Sequence, residues 1–444
     1  MKTIQELYDD KRMSVRELLG LIEDGDYIFS AQAAAEPAEI LSELKYLKET
    51  GVKDVILHTC LPIKDYSVFH DQEMEGILFH HWWFFNVALR RSQKERRTSD
   101  VPQRSCMALK KTLDRIDYES RRPVLMATVS PMDMHGYLSL SISAVYEMDL
   151  VKRGAVVLLE VNKNYPRTFG DTQIHISQVT AFVESNRPIP VIPAAPYTDV
   201  DDKIGKFVAD LIEDGSTIQL GIGNIPNAIC NQLKNKKHLG IHSEMFTDSM
   251  IDLIECGAVD NSAKGLWDGY SVCSFTMGTQ RLYDYLDDNP SVLFKTCTYV
   301  NSPYVIAQTN KYVSVNAILE IDLTGQCASE TVGHTQYSGT GGQSETVQGA
   351  QMSKGGKSIL AMHSTYTTID KNGNEVMHSK IVPFLAEGAV VTTSRNDTDY
   401  VVTEYGVAWL RGLNVKERAE ALIAIAHPDF REWLQTEAEK YEIW

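Results

Sequence analysis

The stretch "ADLIEDGSTIQLG" (Ala209–Gly221) decides the fold, because the chain has already run through a version of it: "LGLIEDGDYIFSA" spans Leu19–Ala31. Both contain Leu-Ile-Glu-Asp-Gly, at Leu21–Gly25 and at Leu211–Gly215. In the later copy Ile204, Phe207, Val208, Leu211 and Ile212 stand at i, i+3, i+4, i+7 and i+8, the spacing of one helix face. The pattern predicts an amphipathic helix that Gly215 stops, with "STIQL" following as a strand.

Each copy continues through a small-residue turn, "SAQAAAEPAEI" or "GIGNIPNAI", into another helix. A second match comes in the same order: "VILHTC" (Val55–Cys60) against "LGIHSE" (Leu239–Glu244). The offset drifts from 190 to 184 residues, as loop insertions and deletions produce. These echoes predict two similar open α/β domains built by internal duplication, with an active site in the cleft between them. The domains are expected at 1–192 and 193–444. The Pro-rich "RPIPVIPAAPYTD" (Arg187–Asp199) fits the border, since proline interrupts regular elements. The same residues also fit a surface loop and an edge strand inside one domain.

The second echo singles out a carboxylate. In "HLGIHSEMFTD" (His238–Asp248) a short apolar strand runs straight into Glu244. A glutamate buried at such a place is costly unless it is paired or used. The first copy has Cys60 at the corresponding position. A carboxylate that served only the fold would be kept in both copies, so a function in one copy is the simpler account.

Composition narrows the class. The chain is 43% hydrophobic and 23% charged, with a formal net charge of −16 and no long basic block to offset it. That argues against nucleic acid or an anionic membrane as partner, while leaving room for a small anion held by local donors. The opening "MKTIQELYDDKRM" lacks the apolar segment of a signal peptide. "GAVVLLEV", from Gly154, is too short to span a bilayer and reads as a buried strand. Seven cysteines, with no C-x-x-C, point to reduced thiols in a cytoplasm. No H-E-x-x-H or spaced Cys/His set occurs, so no metal site is expected; no G-x-S-x-G elbow supports a serine hydrolase.

Several loops carry candidate chemistry. In "QLGIGNIPNA" (Gln219–Ala228) a strand leads through Gly221, Ile222, Gly223, Asn224 and Ile225 into a helix. Asn224 suits the N-cap and Pro226 the first turn, and exposed N–H groups there favour an anion. A dinucleotide fingerprint fails because Pro226 stands where its last glycine is required. "QMSKGGKS" (Gln351–Ser358) likewise misses a phosphate loop, having Gln351 at its first glycine; Lys354 and Lys357 are anion contacts or solvated lysines. "YSGTGGQSE" (Tyr337–Glu345) is either a flexible turn or backbone N–H groups facing substrate. "VNAILEIDLTGQ" (Val315–Gln326) alternates like a strand, with Asn316 at its beginning. "HHWWFF" (His80–Phe85) is core or pocket wall.

Taken together, these residues resemble the acetyl-CoA hydrolase/transferase family, on the side of its 4-hydroxybutyrate and butyrate CoA-transferases. The motifs "GDTQIHIS", "GIGNIPNA", "GIHSEMFTD", "NAILEIDLTGQ", "SGTGGQ", "SKGGKS", "VVTEYGVAWLRG" and "IAHPDFR" follow the family's order over nearly the whole chain. The resemblance implies that Glu244 is a nucleophile that forms a glutamyl-CoA thioester. It implies that Gly221–Ile225 and Gly341–Gly342 contact CoA or the reacting carbonyl. It also implies that Asn316 is an oxyanion donor, and that Glu404 is a second active-site carboxylate. One departure is that Ser344, Glu345 and Thr346 follow "GGQ" where the family often has Asp-Phe, so acyl preference does not carry over.

The chemistry expected is exchange of CoA between a short-chain acyl-CoA and a small carboxylate such as acetate. CoA enters as substrate and covalent intermediate, and no cofactor stays bound. A free glutamate, with a pKa of roughly 4.3, is already an anion at neutrality and needs no activating base. The resemblance further suggests a homodimer or homotetramer. Hydrolysis on the same scaffold, with water as acceptor, is the alternative. A non-catalytic nucleotide- or sugar-phosphate-binding protein is a more distant one.

Overall fold

The repeated Leu-Ile-Glu-Asp-Gly segments fold into the same turn. Gly25 and Gly215 take φ of 77° and 75°, the left-handed region that favours glycine. Gly25 N–H donates to the Lys53 carbonyl at 3.0 Å and Gly215 N–H to that of Lys237 at 2.9 Å. The preceding aspartates answer in kind, Lys53 N–H donating to Asp24 Oδ1 at 2.8 Å and Lys237 N–H to Asp214 Oδ1 at 2.9 Å. Beyond the turns, the Tyr27–Ser30 strand pairs with Val55–Thr59 in the register Tyr27 to Ile56, and Thr217–Leu220 pairs with Gly240–Ile241 in the register Thr217 to Gly240. Ile56 therefore corresponds to Gly240, and Cys60 to Glu244, as the sequence echo has it.

The computed structural model describes residues 2–193 and 196–443. They form two compact units. The first takes Met1–Pro193 together with two later segments, Glu244–Phe246 and Val272–Val300; the second takes the remainder. Chain order and spatial grouping thus differ from a single border at 192/193. Glu244–Phe246 packs with the first unit because Met245–Phe246 pairs in parallel with Phe275–Thr276. Met245, Phe275, Met277, Tyr283 and Cys297 belong to the same apolar core as Phe29, Trp83 and Tyr146.

The first unit is built on a seven-stranded sheet. Its order runs Ala181–Ser185, Val156–Asn162, Pro123–Val129, Tyr27–Ser30, Val55–Thr59, Leu78–Trp82, Thr98–Asp100, and every neighbouring pair is parallel. A parallel sheet covered on both faces needs apolar residues at successive positions, which is why "VVLL" (Val156–Leu159) reads as an unbroken run. Alternate residues supply two cores. Tyr27, Phe29, Leu125 and Leu159 face one, Ile28, Val124, Met126 and Leu158 the other. The aromatic cluster is divided between them, Trp82 and Phe85 in one core and Trp83 in the other, so these side chains are core.

The second unit repeats the plan with six strands: Gly240–Ile241, Thr217–Leu220, Tyr312–Ala317, Lys357–Ala361, Tyr400–Thr403 and Gly406–Trp409. All neighbours are parallel except the last pair. The amphipathic helix precedes the Thr217 strand, but it covers Asp199–Leu211 and ends before Gly215. Ile212 is fully buried while its backbone is already extended (φ −89°, ψ 119°). The apolar period therefore outruns the helix. Among the described residues no helix is long and apolar enough to cross a membrane, and all seven cysteines are free thiols.

Candidate functional site

In the second sheet the strands stand in chain order second, first, third, fourth, fifth, sixth, reading from the Gly240 edge. Connections leave in opposite directions between the Thr217 and Tyr312 strands, the topological switch point where doubly wound sheets leave a crevice beyond the strand ends. Leu220 is paired with Val315 there, so Gly221 and Asn316 come next on the two flanking strands. Gly221 and Asn316, both nominated from sequence, flank this point.

Gly223 caps the Asn224–Gln232 helix, with φ 115° and ψ −171°, a region essentially restricted to glycine. Asn224, expected as the cap, is the first helical residue, and Pro226 is the third. The glycine replaces the side-chain cap because only it adopts the angle by which the chain leaves the strand. Gly221, Gly223 and Ile225 are partly exposed, and Ile222 and Asn224 are exposed.

Asn316 lies near the end of the Tyr312–Ala317 strand, not at the beginning of one. The expected single strand from Val315 is two, broken at Ile318–Leu319 before Glu320–Asp322. Asn316 Nδ2 donates to Thr346 Oγ1 at 3.2 Å, and Thr346 N–H donates to the Gly342 carbonyl at 3.0 Å. That joins Asn316 to the glycine loop, where Gly341 has φ 58° and Gly342 caps the Gln343–Met352 helix. An amide nitrogen carries two hydrogens, so Asn316 retains one donor beyond Thr346.

Glu404 directly follows the Tyr400–Thr403 strand. Its carboxylate accepts from Ser364 N–H at 2.9 Å and Ser364 Oγ at 2.6 Å, a clamp between two adjacent strand ends. Desolvation lowers the nearby Lys380 ammonium, and Glu404 partly restores it. Lys357 is not a free anion contact: its Nζ donates to the Leu211 carbonyl at 2.8 Å and to Glu213 Oε1 at 3.0 Å. Among the described residues no group of three or more His, Cys, Asp or Glu is placed to hold a metal ion.

Glu244 follows the Gly240–Ile241 strand and is half-buried. The strand end is fixed by Lys264, whose buried ammonium donates to the Ile241 carbonyl at 2.8 Å. Its aliphatic stem lies where a Cβ on Gly240 would stand, 2.1 Å from Lys264 Cγ, which explains glycine where the first copy has Ile56. The Glu244 carbonyl accepts two backbone donors, Ser274 N–H at 2.9 Å and Phe275 N–H at 3.0 Å. Cys60 belongs to the same unit. Burial, and then the charges of Glu244 and Glu147, hold its thiol well above the ordinary range. The duplicated positions thus lie within electrostatic reach of each other.

Polar strand ends of the first unit are filled by a buried network. Arg187 Nε donates to Glu160 Oε1 at 2.6 Å, and its Nη2 to the Glu36 carbonyl at 2.6 Å and Thr128 Oγ1 at 2.9 Å. Sequence reading missed this network, together with Glu147, Lys264 and Ser364. The apolar residues that precede Glu147 in "SAVYEMDLV" are a signal for it, since an acid that an apolar segment carries into a core has to be paired.

Two domain families match the chain: acetyl-CoA hydrolase/transferase N-terminal domain over residues 1–193 and C-terminal domain over residues 278–438. The 4-hydroxybutyrate coenzyme A transferase of Clostridium kluyveri is 39% identical over 98% of this chain and 99% of that protein. The succinyl-CoA:cyclohexane-1-carboxylate CoA transferase of Geobacter metallireducens is 49% identical over 68% of each. The crystal structure of RipA from Yersinia pestis superposes with a TM-score of 0.89 at 35% identity, covering both chains completely. With both domains matched in order and likeness sustained from end to end, the chain is a CoA-transferase enzyme of the acetyl-CoA hydrolase/transferase family.

Proposed function

We propose that the enzyme exchanges CoA between a short-chain acyl-CoA, of the butyryl or 4-hydroxybutyryl type, and a carboxylate such as acetate, with Glu244 as nucleophile. The observation that carries this reading is the one-sided carboxylate. Two duplicated strand ends lead to Cys60 and to Glu244, and only the second carries an anion, with its carbonyl held by two backbone donors. The likeness over nearly the full length to a 4-hydroxybutyrate coenzyme A transferase supports the transfer of CoA.

In the first step the Glu244 carboxylate attacks the thioester carbonyl, forming an acyl-glutamyl anhydride and releasing CoA thiolate. The thiolate attacks the glutamyl carbonyl, giving the glutamyl-CoA thioester and the first free acid. The incoming carboxylate attacks that thioester, forming a new anhydride and thiolate, and thiolate attack on its acyl carbonyl delivers the new acyl-CoA and restores Glu244. One difficult exchange is divided into smaller ones, and no ATP is consumed because a thioester is exchanged for a thioester. Oxyanions develop on substrate and on Glu244 in turn. Gly221–Ile225, Gly341–Gly342 and the remaining Asn316 donor are assigned to them, and Glu404 is assigned as an auxiliary carboxylate. Removing one such donor costs about 10²–10³ in rate, so Asn316→Ala is expected to fall by that factor in kcat.

Acceptor dependence tests the reading. Acyl-CoA consumption is followed with and without acetate, and the products are resolved by chromatography. Acetyl-CoA appearing in step with loss of the donor supports transfer. Thioester loss that ignores acetate and yields only free CoA would move the enzyme to the hydrolase side of its family.

A further inference from the structure

Glu147 is a fully buried carboxyl for which the chemistry above has no task. It opens the Glu147–Arg153 helix and turns back on the preceding segment. Ser143 Oγ donates to its Oε1 at 2.6 Å and Tyr146 N–H to its Oε2 at 2.9 Å. The backbone N–H groups of Glu147 itself and of Gln32 also act to favour its charged form. Burial pushes the carboxyl above its ordinary range and these donors pull it back. Backbone N–H groups can only donate, and a carboxylate offers them an acceptor on both oxygens; a glutamine keeps one oxygen and would have to turn its NH₂ towards Ser143 Oγ or towards an N–H group.

The segment so clamped runs directly to Glu244. Residues 142–144 lie beside 274–276: Ala144 N–H donates to the Ser274 carbonyl at 2.8 Å, Thr276 N–H to the Ile142 carbonyl at 2.9 Å, and Ser143 bridges Phe275 antiparallel. Ser274 and Phe275 then give their N–H groups to the Glu244 carbonyl. Side chain, bridge and backbone pair form one continuous path within the first unit.

We infer that Glu147 is a positioning residue for Glu244. It fixes the turn from Ser143 to Tyr146, and through Ser274 and Phe275 it sets the direction in which the nucleophile leaves the backbone. The inference rests on the reading of Glu244 as nucleophile. A purely structural carboxyl at a helix start would affect stability alone, whereas a positioning one affects turnover of the folded enzyme.

The test compares Glu147→Gln, Ser143→Ala, the double variant and Glu244→Ala in the full-length enzyme, recording kcat, KM and Tm. Misplacing a reacting group by about 1 Å costs about 10²-fold. Glu147→Gln is therefore expected to lower kcat by about 10- to 100-fold at little-changed KM, with the double variant no slower than Glu147→Gln alone because both act through one contact. Unchanged kcat in Glu147→Gln, with only Tm lowered, beside an inactive Glu244→Ala, overturns this inference alone. Should Glu147→Gln fail to fold, unchanged kcat in folded Ser143→Ala overturns it as well. Full turnover in Glu244→Ala removes the nucleophile reading and this inference with it.

Discussion

At the scale of single residues, the account depends on what a carboxylate does when its surroundings differ. Glu244 is partly open and held by its backbone, and it is expected to be indispensable. Glu244→Ala should lose about 10⁴-fold or more in kcat, as removal of a nucleophile does. Glu244→Asp, one methylene short, should retain a small fraction of turnover because its reach is misplaced; steady-state kinetics on purified variants checks both. Glu36 shows the opposite case. It is buried to 3% exposure, and burial raises its carboxyl from 4.5 to about 7. Between those two pH values the folded chain keeps a proton that the unfolded chain releases, so stability falls as pH rises through the window, by on the order of 3 kcal/mol. Glu36→Gln should flatten that part of a Tm-against-pH curve; a curve parallel to wild type would refute the assignment. Glu244 stood out in the sequence as a candidate because the duplication gave it Cys60, not an acid, as its counterpart. Glu147 and Glu36 did not, because nothing in a sequence reports which acids are surrounded by donors in a core.

At the scale of elements, the Val156–Asn162 strand was legible as the apolar run from Gly154, since a parallel strand covered on both faces reads that way. Helix ends were less so. Ile212 satisfies the apolar period while its backbone has left the helix, and the Asn224 cap gave way to Gly223 because strand and helix meet at an angle that only glycine adopts. That cap carries a prediction. A Cβ on Gly223 meets no atom within 4 Å, so Gly223→Ala is opposed by backbone conformation alone, at about 1–3 kcal/mol. It is expected to lower Tm modestly and to lower kcat/KM for acyl-CoA more than it lowers stability, read by calorimetry and kinetics on one preparation. Gly240→Ala is opposed by contact instead, since the buried Lys264 stem fills the space. Overpacking of this kind costs about 1–3 kcal/mol. Full stability in Gly240→Ala would mean that Lys264 relocates, and with it the support of the Ile241 carbonyl.

At the scale of the whole molecule, duplication set the architecture and its asymmetry set the chemistry. The same turn, strand pairing and register occur twice, as the hydrogen bonds of Gly25 and Gly215 record. Grouping in space was the part hidden from sequence: Glu244–Phe246 and Val272–Val300 lie in the second half of the chain but pack with the first unit, through pairings distant in sequence. A carboxylate that belongs to the second copy in sequence is thereby grouped with the first unit in space. The most direct measurement is mass spectrometry of the enzyme after incubation with acyl-CoA and borohydride, which reduces a glutamyl thioester to an alcohol. The account predicts one modified peptide, containing Glu244, that is absent from Glu244→Ala and lost when acetate is added to excess before the reductant. An unmodified Glu244 peptide under turnover, or modification at a different carboxylate, would contradict it.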